Sequence, residues 1–352
     1  MEKPKRPLLK IFLIIFGGVA LVAIALVARF NFLREDPMLA FSTPAPRVIT
    51  TPTPLAERVE RLNAPIIPYT PTPTPTLPPE HVLGANTINI VLMGLDSDEE
   101  REAANRGYRS DTIAILVVDV KAPSCTVLSV PRDTRAKVQR LNSKGQVKST
   151  QYNKINSAYN YGGGPDAFGA DNLIVALESL LFDDLNSDVQ LGYYASIDMD
   201  SVEKFADAVD GVPITLPYDI PNFGKENEEI VLRGEDARKF VRLRHGITGG
   251  SDIGRVERQQ LFIKAFAKKI QQLGARDIIP LLWSSLAADI QTNLNTEQIM
   301  VLADLLARLD LEKCEFVTLP GYCKTIEGRS YYVPKTKEVK ALALKLWGGE
   351  KL

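Results

Sequence analysis

Apolar and polar positions change their spacing repeatedly along the chain after residue 80, and this spacing predicts the secondary structure. Apolar runs typical of strands fall near 88–93, 112–120, 124–130, 191–197 and 314–319. Apolar residues at a helical period fall near 166–182, 199–209, 234–242, 252–273, 276–287 and 296–309. The short link Lys121-Ala122-Pro123 requires its two flanking strands to run antiparallel. The order of elements predicts an α/β fold, three-layer α/β/α with a central mixed sheet.

An uncharged apolar run at residues 11–28 predicts a transmembrane anchor over 11–30. Lys3, Lys5, Arg6 and Lys10 precede it. The bias of positive charge predicts that residues 1–10 are a cytoplasmic tail and that the rest lies outside the cell membrane. A cleaved signal peptide is the alternative, but the one Ala-x-Ala, at 23–25, lies inside the apolar run.

Proline and threonine dominate residues 31–80, which we interpret as an extracytoplasmic linker. Residues 37–80 contain twelve prolines, and Thr-Pro recurs six times among them. Proline fixes φ and removes a hydrogen-bond donor, so such a segment is expected to be extended. It is either a stalk that carries the domain away from the membrane or a linker without a specific role. Residues 81–311 are then the main domain and 312–352 a C-terminal extension.

Charged residues lie at the ends of the predicted strands and helices rather than inside the strands. They are Asp96, Arg109, Asp111, Arg132, Asp133, Arg242, Arg244, Asp252 and Arg255. Planar guanidinium groups suit phosphate oxygens, and carboxylates beside them suit a divalent cation. Each segment alone has an ordinary interpretation as a turn, a helix cap or a solvated helix end. Together they indicate a pyrophosphate-plus-metal site at the edge of an α/β sheet.

The helix predicted over 252–273 carries polar residues on its apolar face. At 100° per residue, Asp252, Arg255 and Gln259 continue the stripe of Phe262, Ile263, Phe266 and Ile270. Buried charges need partners, which either a functional cleft or an internal Asp252–Arg255 ion pair would supply. Arg258 lies at the border of the stripe and is a weaker candidate.

Charge, histidine and cysteine content narrow the function further. A net charge of -1 argues against nucleic-acid binding, and two histidines without a Cys/His cluster argue against a zinc site. Cys314 and Cys323 flank a turn-like Leu-Pro-Gly, so a disulfide between them is one expectation and free thiols the other. Cys125, in the middle of a predicted strand, is expected to be a buried free thiol.

Seven ordered motifs between residues 88 and 270 resemble those of the LytR-CpsA-Psr family of bacterial cell-envelope proteins. They are Ile90-Val91-Leu92-Met93-Gly94-Leu95-Asp96, Arg109-Ser110-Asp111-Thr112, Leu128-Ser129-Val130-Pro131-Arg132-Asp133-Thr134, Lys154-Ile155-Asn156-Ser157-Ala158-Tyr159, Asp210-Gly211-Val212-Pro213, Phe240-Val241-Arg242-Leu243-Arg244, and Asp252-Ile253-Gly254-Arg255 with Arg258-Gln259-Gln260. The chain departs from the family at Ser97-Asp98-Glu99-Glu100, where an arginine is common; Arg101 or Arg106 are possible substitutes.

The resemblance implies a Mg²⁺-dependent phosphotransferase that moves a glycopolymer from polyprenyl pyrophosphate to a peptidoglycan sugar hydroxyl. It assigns the metal to Asp96 and Asp111. It assigns pyrophosphate binding to Arg109, Arg132, Arg242, Arg244, Arg255 and Gln259, and catalysis to Arg132, Arg242, Arg244, Asp252 and Arg255. A pyrophosphatase, with water as the acceptor, is the alternative enzyme. A non-catalytic lipid-binding or regulatory envelope protein is the alternative from another class.

Overall fold

The protein is built around a six-stranded mixed sheet. The structure, a computed structural model, describes residues 29–41, 86–96, 108–121, 124–183, 185, 189–243 and 252–348. The sheet strands are β1 (Thr87–Asp96), β2 (Arg109–Asp119), β3 (Ser124–Ser129), β6 (Tyr193–Asp198), β9 (Ile290–Thr292) and β10 (Glu315–Thr318). Their spatial order is β10-β3-β2-β1-β6-β9. The predicted central mixed sheet is confirmed, as is the antiparallel pairing of β2 with β3.

Three hairpins lie outside this sheet. They are formed by β4 (Arg135–Leu141) with β5 (Val147–Lys154), β7 (Val212–Thr215) with β8 (Glu229–Leu232), and β11 (Gly321–Ile326) with β12 (Arg329–Pro334). The sequence prediction missed all three. Strand β5 shows why, because its side chains are exposed or half-buried throughout and give no alternation of apolar and polar residues.

Helices lie on both sides of the sheet. They are α1 (residues 29–35), α2 (Met38–Phe41), α3 (Ser157–Tyr161), α4 (Gly169–Phe182), α5 (Val202–Ala208), α6 (Gly234–Arg242), α7 (Asp252–Gln272), α8 (Ala275–Leu286), α9 (Thr296–Arg308) and α10 (Thr336–Trp347). The six helices predicted from the apolar period are found at α4 to α9. Helix α10 was not predicted.

Alternate residues of β1 enter two separate hydrophobic cores. Val91, Met93 and Leu95 pack with α4 and with Trp347 of α10. Ile88 and Ile90 pack on the other side with α9. A third core joins α5 to α8 with the β7–β8 hairpin. The segment after residue 311 therefore adds a strand to the central sheet and a helix to its core.

The structure corrects the expectations of a Cys314–Cys323 disulfide and of a free Cys125 thiol, whereas Cys125 is buried and Cys323 is free, as expected. Cys125 forms a disulfide with Cys314, with a Cα–Cα distance of 4.8 Å, and Cys323 is an exposed free thiol. The reason is the sheet topology. Strand β10 runs parallel to β3 with Glu315 opposite Thr126, so the preceding residues, Cys314 and Cys125, are also neighbours. Cys323 instead lies opposite Tyr332 in the β11–β12 hairpin.

This pairing predicts how the thiols react. Under native, non-reducing conditions a maleimide should label one cysteine, Cys323, and after denaturation with reductant it should label three. The bridge closes a loop of 189 residues, so the Cys125→Ala/Cys314→Ala variant should lose about 5 kcal/mol of unfolding free energy. Cys323→Ala is the matched control and should leave the denaturation midpoint unchanged. Labelling of Cys314 without reductant would contradict the pairing.

The predicted cytoplasmic tail and anchor lie outside the described residues, apart from residues 29 and 30. In the part of the chain that the structure describes, no helix is both long and apolar enough to cross a bilayer. Residues 31–41, which the sequence analysis placed in the linker, are mostly helical and pack against α9.

Candidate functional site

Two carboxylates mark one edge of the central sheet, where β1 ends and β2 begins. Asp96 closes β1 opposite Arg109, and Asp111 follows two residues later on β2. The approach of the two strands to Met199 depends on Gly94, because a Cβ there would lie 2.5 Å from Met199 Sδ and 2.8 Å from Thr112 Cβ. The Asp96 carboxylate is partly exposed, whereas that of Asp111 is almost completely buried.

Asp111 binds two arginines that are distant in sequence. Arg132, just after β3, donates from Nη1 to Asp111 Oδ2, and Arg255 Nη1, in the first turn of α7, lies 3.6 Å from the same oxygen. Only 3% of Arg255 is exposed. Among the described residues, Arg255 thus faces the carboxylate of Asp111, which lies across the site on β2. A buried guanidinium needs such a partner, because desolvating an unpaired charge costs several kcal/mol.

Arg242, at the C-terminal end of α6, pairs with two other carboxylates of the site. Its Nη2 lies 3.2 Å from Asp96 Oδ1 and 3.2 Å from Asp200 Oδ1. Sequence reasoning missed Asp200 and its neighbour Asp198, although both follow the predicted strand at 191–197, just as Asp96 follows β1. Burial raises the pKa of the Asp198 carboxyl; the nearby Asp200 and Asp96 carboxylates also raise it, and the Asp200 amide and Arg242 lower it.

Most of the predicted site residues line a cavity of about 240 Å³. Its lining consists of Asp96, Asp111, Met199, Val241, Arg242, Arg255 and Gln259. Arg132 does not line the cavity but contacts Asp111, which does. Arg109 is exposed at the start of β2. Arg244, Arg101 and Arg106 lie outside the described residues, as does the side chain of Asp252, whose backbone begins α7.

The carboxylate oxygens in the cavity can be compared with the ligands that Mg²⁺ requires. Asp111 Oδ1 is buried and has no hydrogen-bond partner among the described residues, and Asp96 lines the same cavity. The described residues hold no group of three or more His, Cys, Asp or Glu side chains arranged for a metal. Mg²⁺ commonly uses one or two carboxylates and completes its shell with waters and phosphate oxygens. Two carboxylates in a small polar cavity fit an ion that shares its ligands with a phosphorylated substrate.

Side chains of α7 also donate hydrogen bonds to carbonyls at the C-terminal end of α6. Arg258, only 1% exposed, donates from Nη2 to the Leu243 carbonyl, and Gln259 Nε2 lies 3.3 Å from the Val241 carbonyl. These carbonyls flank Arg242. The sequence analysis ranked Arg258 as the weaker candidate, yet it is more buried than Arg255. The helical wheel considered only an apolar stripe, whereas the first turns of α7 also pack against α6, which widens the buried arc.

The comparisons with known proteins cover the part of the chain that contains the candidate site. The LytR_cpsA_psr family model matches residues 71–346. The polyisoprenyl-teichoic acid–peptidoglycan teichoic acid transferase TagU of Halalkalibacterium halodurans is 30% identical over 210 residues, covering 58% of this chain and 61% of that protein. Biofilm regulatory protein A of Streptococcus mutans is 27% identical over 263 residues, covering 71% of this chain. The chain spans 61% of the length of each of these relatives.

The fold is shared with solved structures at lower identity. A structure of TagT bound to LIIa-WTA superposes with a TM-score of 0.55 at 21% identity, covering 78% of this chain and 94% of that one. At this identity the likeness concerns the fold alone.

Proposed function

Because this chain belongs to the LytR_cpsA_psr family, we propose that it is an extracytoplasmic phosphotransferase, anchored in the cell membrane with its N-terminus in the cytoplasm. The donor is a glycopolymer on polyprenyl pyrophosphate, and the acceptor is a peptidoglycan sugar hydroxyl. The name of the TagU relative supports this reaction. The observation that carries the proposal is the convergence of Arg132, Arg242 and Arg255 on the carboxylates of Asp96 and Asp111.

The reaction breaks the phosphoanhydride bond of the donor and forms a phosphoester bond to the acceptor. The acceptor hydroxyl attacks the phosphorus next to the glycopolymer and loses its proton. The bond from that phosphorus to the bridging oxygen breaks, and polyprenyl phosphate leaves. Such a transfer proceeds through a loose transition state, so it requires mainly positioning and neutralisation of charge.

The residues of the cavity divide these tasks. Arg242 and Arg255 present guanidinium groups to the pyrophosphate oxygens from two different helices, α6 and α7. Asp111 holds Arg132 and Arg255 in place before the substrate arrives. Asp96 and Asp111 would hold Mg²⁺, which would supply further neutralisation of the phosphate oxygens when bound.

One assay separates the candidate functions. The full-length protein in detergent micelles is supplied with Mg²⁺, a lipid-linked oligosaccharide and peptidoglycan. We expect a peptidoglycan conjugate joined by a phosphodiester. Free phosphorylated oligosaccharide would identify a pyrophosphatase instead. Binding of the lipid without turnover would favour the regulatory role that the name of the Streptococcus mutans relative suggests for that protein.

Arg258 should affect this reaction indirectly. In Arg258→Met the half-buried Leu243 carbonyl loses its donor, which should cost about 1–3 kcal/mol of unfolding free energy. The end of α6 would then be free to shift, and we expect a decrease in kcat/KM of about tenfold or more, since small displacements in an active site are costly.

The matched control is Lys264→Met on the outer side of the same helix, where Lys264 pairs with exposed Glu312. It should change neither stability nor turnover appreciably. Thermal melts and initial rates measured on both variants decide the point. Full turnover in a destabilised Arg258→Met would show that the contact serves only the core.

A further inference from the structure

Residues 29–41, here called the N-terminal strap, are held against the folded domain over their whole length. Leu33 and Phe41 are buried in the core that contains Ile88 and Ile90 of β1. The Phe41 ring packs edge-on against Tyr193, with ring centroids 5.1 Å apart. A short surface helix without such burial would be marginal in water, so these contacts account for its order.

Polar contacts fix the strap at both of its ends and in its middle. Arg29 pairs with Glu297 of α9. Arg34 Nε lies 3.1 Å from Asp304 Oδ1, a carboxylate that is 1% exposed. At the far end, Gln298 donates to the Ala40 carbonyl and Tyr193 to the Phe41 carbonyl. The strap is thus a specific partner of α9.

The chain leaves and re-enters this part of the fold at neighbouring points. The strap ends at Phe41, and the next strand, β1, begins at Thr87. Phe41 and Ile88 belong to the same hydrophobic core. The described residues on either side of the Pro/Thr-rich segment therefore lie in one core.

We propose that the strap clamps the domain directly to the end of the membrane anchor, so that the domain stays at the membrane without the covalent link through residues 42–85. The strap includes the last two residues of the predicted anchor, so the face formed by α1, α2 and α9 lies against the bilayer. This inference rests on the proposed anchor over residues 11–30 but not on the proposed reaction.

Two observations fit a bilayer at this face. Phe32 and Leu39 of the strap and Met300 of α9 are exposed large hydrophobic residues. Met300 is one turn from Glu297 and from Asp304, which hold the strap. The candidate site lies at the other end of β1, where Asp96 is eight residues beyond Ile88, or about 26 Å at the rise of a strand. A clamped domain thus holds its site at a fixed height above the membrane.

Cleavage within residues 42–85 tests the proposal. A site for a specific protease is inserted after Leu62 in the full-length chain, which is reconstituted in phospholipid vesicles and cut. If the strap holds the domain to the anchor, the domain should sediment with the vesicles after cleavage. If only the covalent link retains the domain, it should appear in the supernatant, and the proposal would be overturned. Uncut protein in the supernatant would overturn the anchor and the proposal with it.

Variants of the strap show which contact retains the domain. Leu33→Asp/Phe41→Asp places two charges in the buried contact and should release most of the cut domain. Asn31→Asp, on an exposed position of the strap, is the matched control and should release none. Retention of the Leu33→Asp/Phe41→Asp domain would show that the strap is not the clamp. Because sedimentation requires no turnover, failure here is distinct from failure of the transfer assay.

Discussion

Asp96→Asn and Asp111→Asn should each reduce glycopolymer transfer by about 10²–10³-fold at saturating Mg²⁺, the effect of losing one strong electrostatic contact in an active site. Both carboxylates line the 240 Å³ cavity, and Asp111 also holds two arginines. The asparagine amide keeps the shape of the side chain but removes the charge that a divalent cation requires.

The two variants should differ in stability. Asp111→Asn leaves buried Arg255 without the carboxylate that it faces, so a loss of about 1–3 kcal/mol of unfolding free energy is expected. Asp96 is partly exposed and pairs with Arg242, which also has Asp200, so Asp96→Asn should cost less than about 1 kcal/mol.

The measurement combines Mg²⁺ titration of transfer with chemical denaturation. Asp119→Asn, at the far end of β2, is the control and should retain full turnover. If either site variant keeps full turnover in the presence of a chelator, the metal assignment is wrong. If both lose turnover while Mg²⁺ binding measured by calorimetry is unchanged, the carboxylates act on the arginines and not on a metal.

The elements that the sequence predicted well are those whose burial repeats regularly. Strand β1 is covered on both faces and reads as a continuous apolar run, and α9 shows a clear helical period with a capping box at Asn295 and Gln298. Strands such as β5 lie outside the sheet and show no alternation of apolar and polar residues. Their pairing depends on tertiary contacts that periodicity does not contain.

The site was predictable in its residue types but not in its pairings. Strand-end charge identified Asp96, Asp111 and Arg132, because a charge at such a position needs solvent or a partner. The same criterion applied to β6 would have found Asp198 and Asp200. The contact of Arg255 with Asp111 was not predictable, since the two residues are near each other only after folding. The disulfide was missed for the same reason, because β10 joins β3 across 189 residues.

The other large effect is expected at Arg255, and it separates a binding arginine from a core arginine. Methionine has a similar length and is apolar, and hydrophobic substitutes for buried ion pairs are often tolerated. Asp111 retains Arg132 as a partner after this change. We therefore expect Arg255→Met to fold, with an unfolding free energy within about 2 kcal/mol of the wild type.

Transfer should behave differently from stability, because methionine donates no hydrogen bond to a phosphate oxygen. We expect kcat/KM for the lipid-linked donor to fall by about 10²–10³-fold in Arg255→Met. Arg255→Lys keeps the charge but loses the planar pair of donors, and its activity should be intermediate. Denaturation curves and transfer rates on the same preparations decide between the interpretations. Full transfer by a stable Arg255→Met would mean that the first turn of α7 is ordinary core packing, and that the pyrophosphate is held without Arg255.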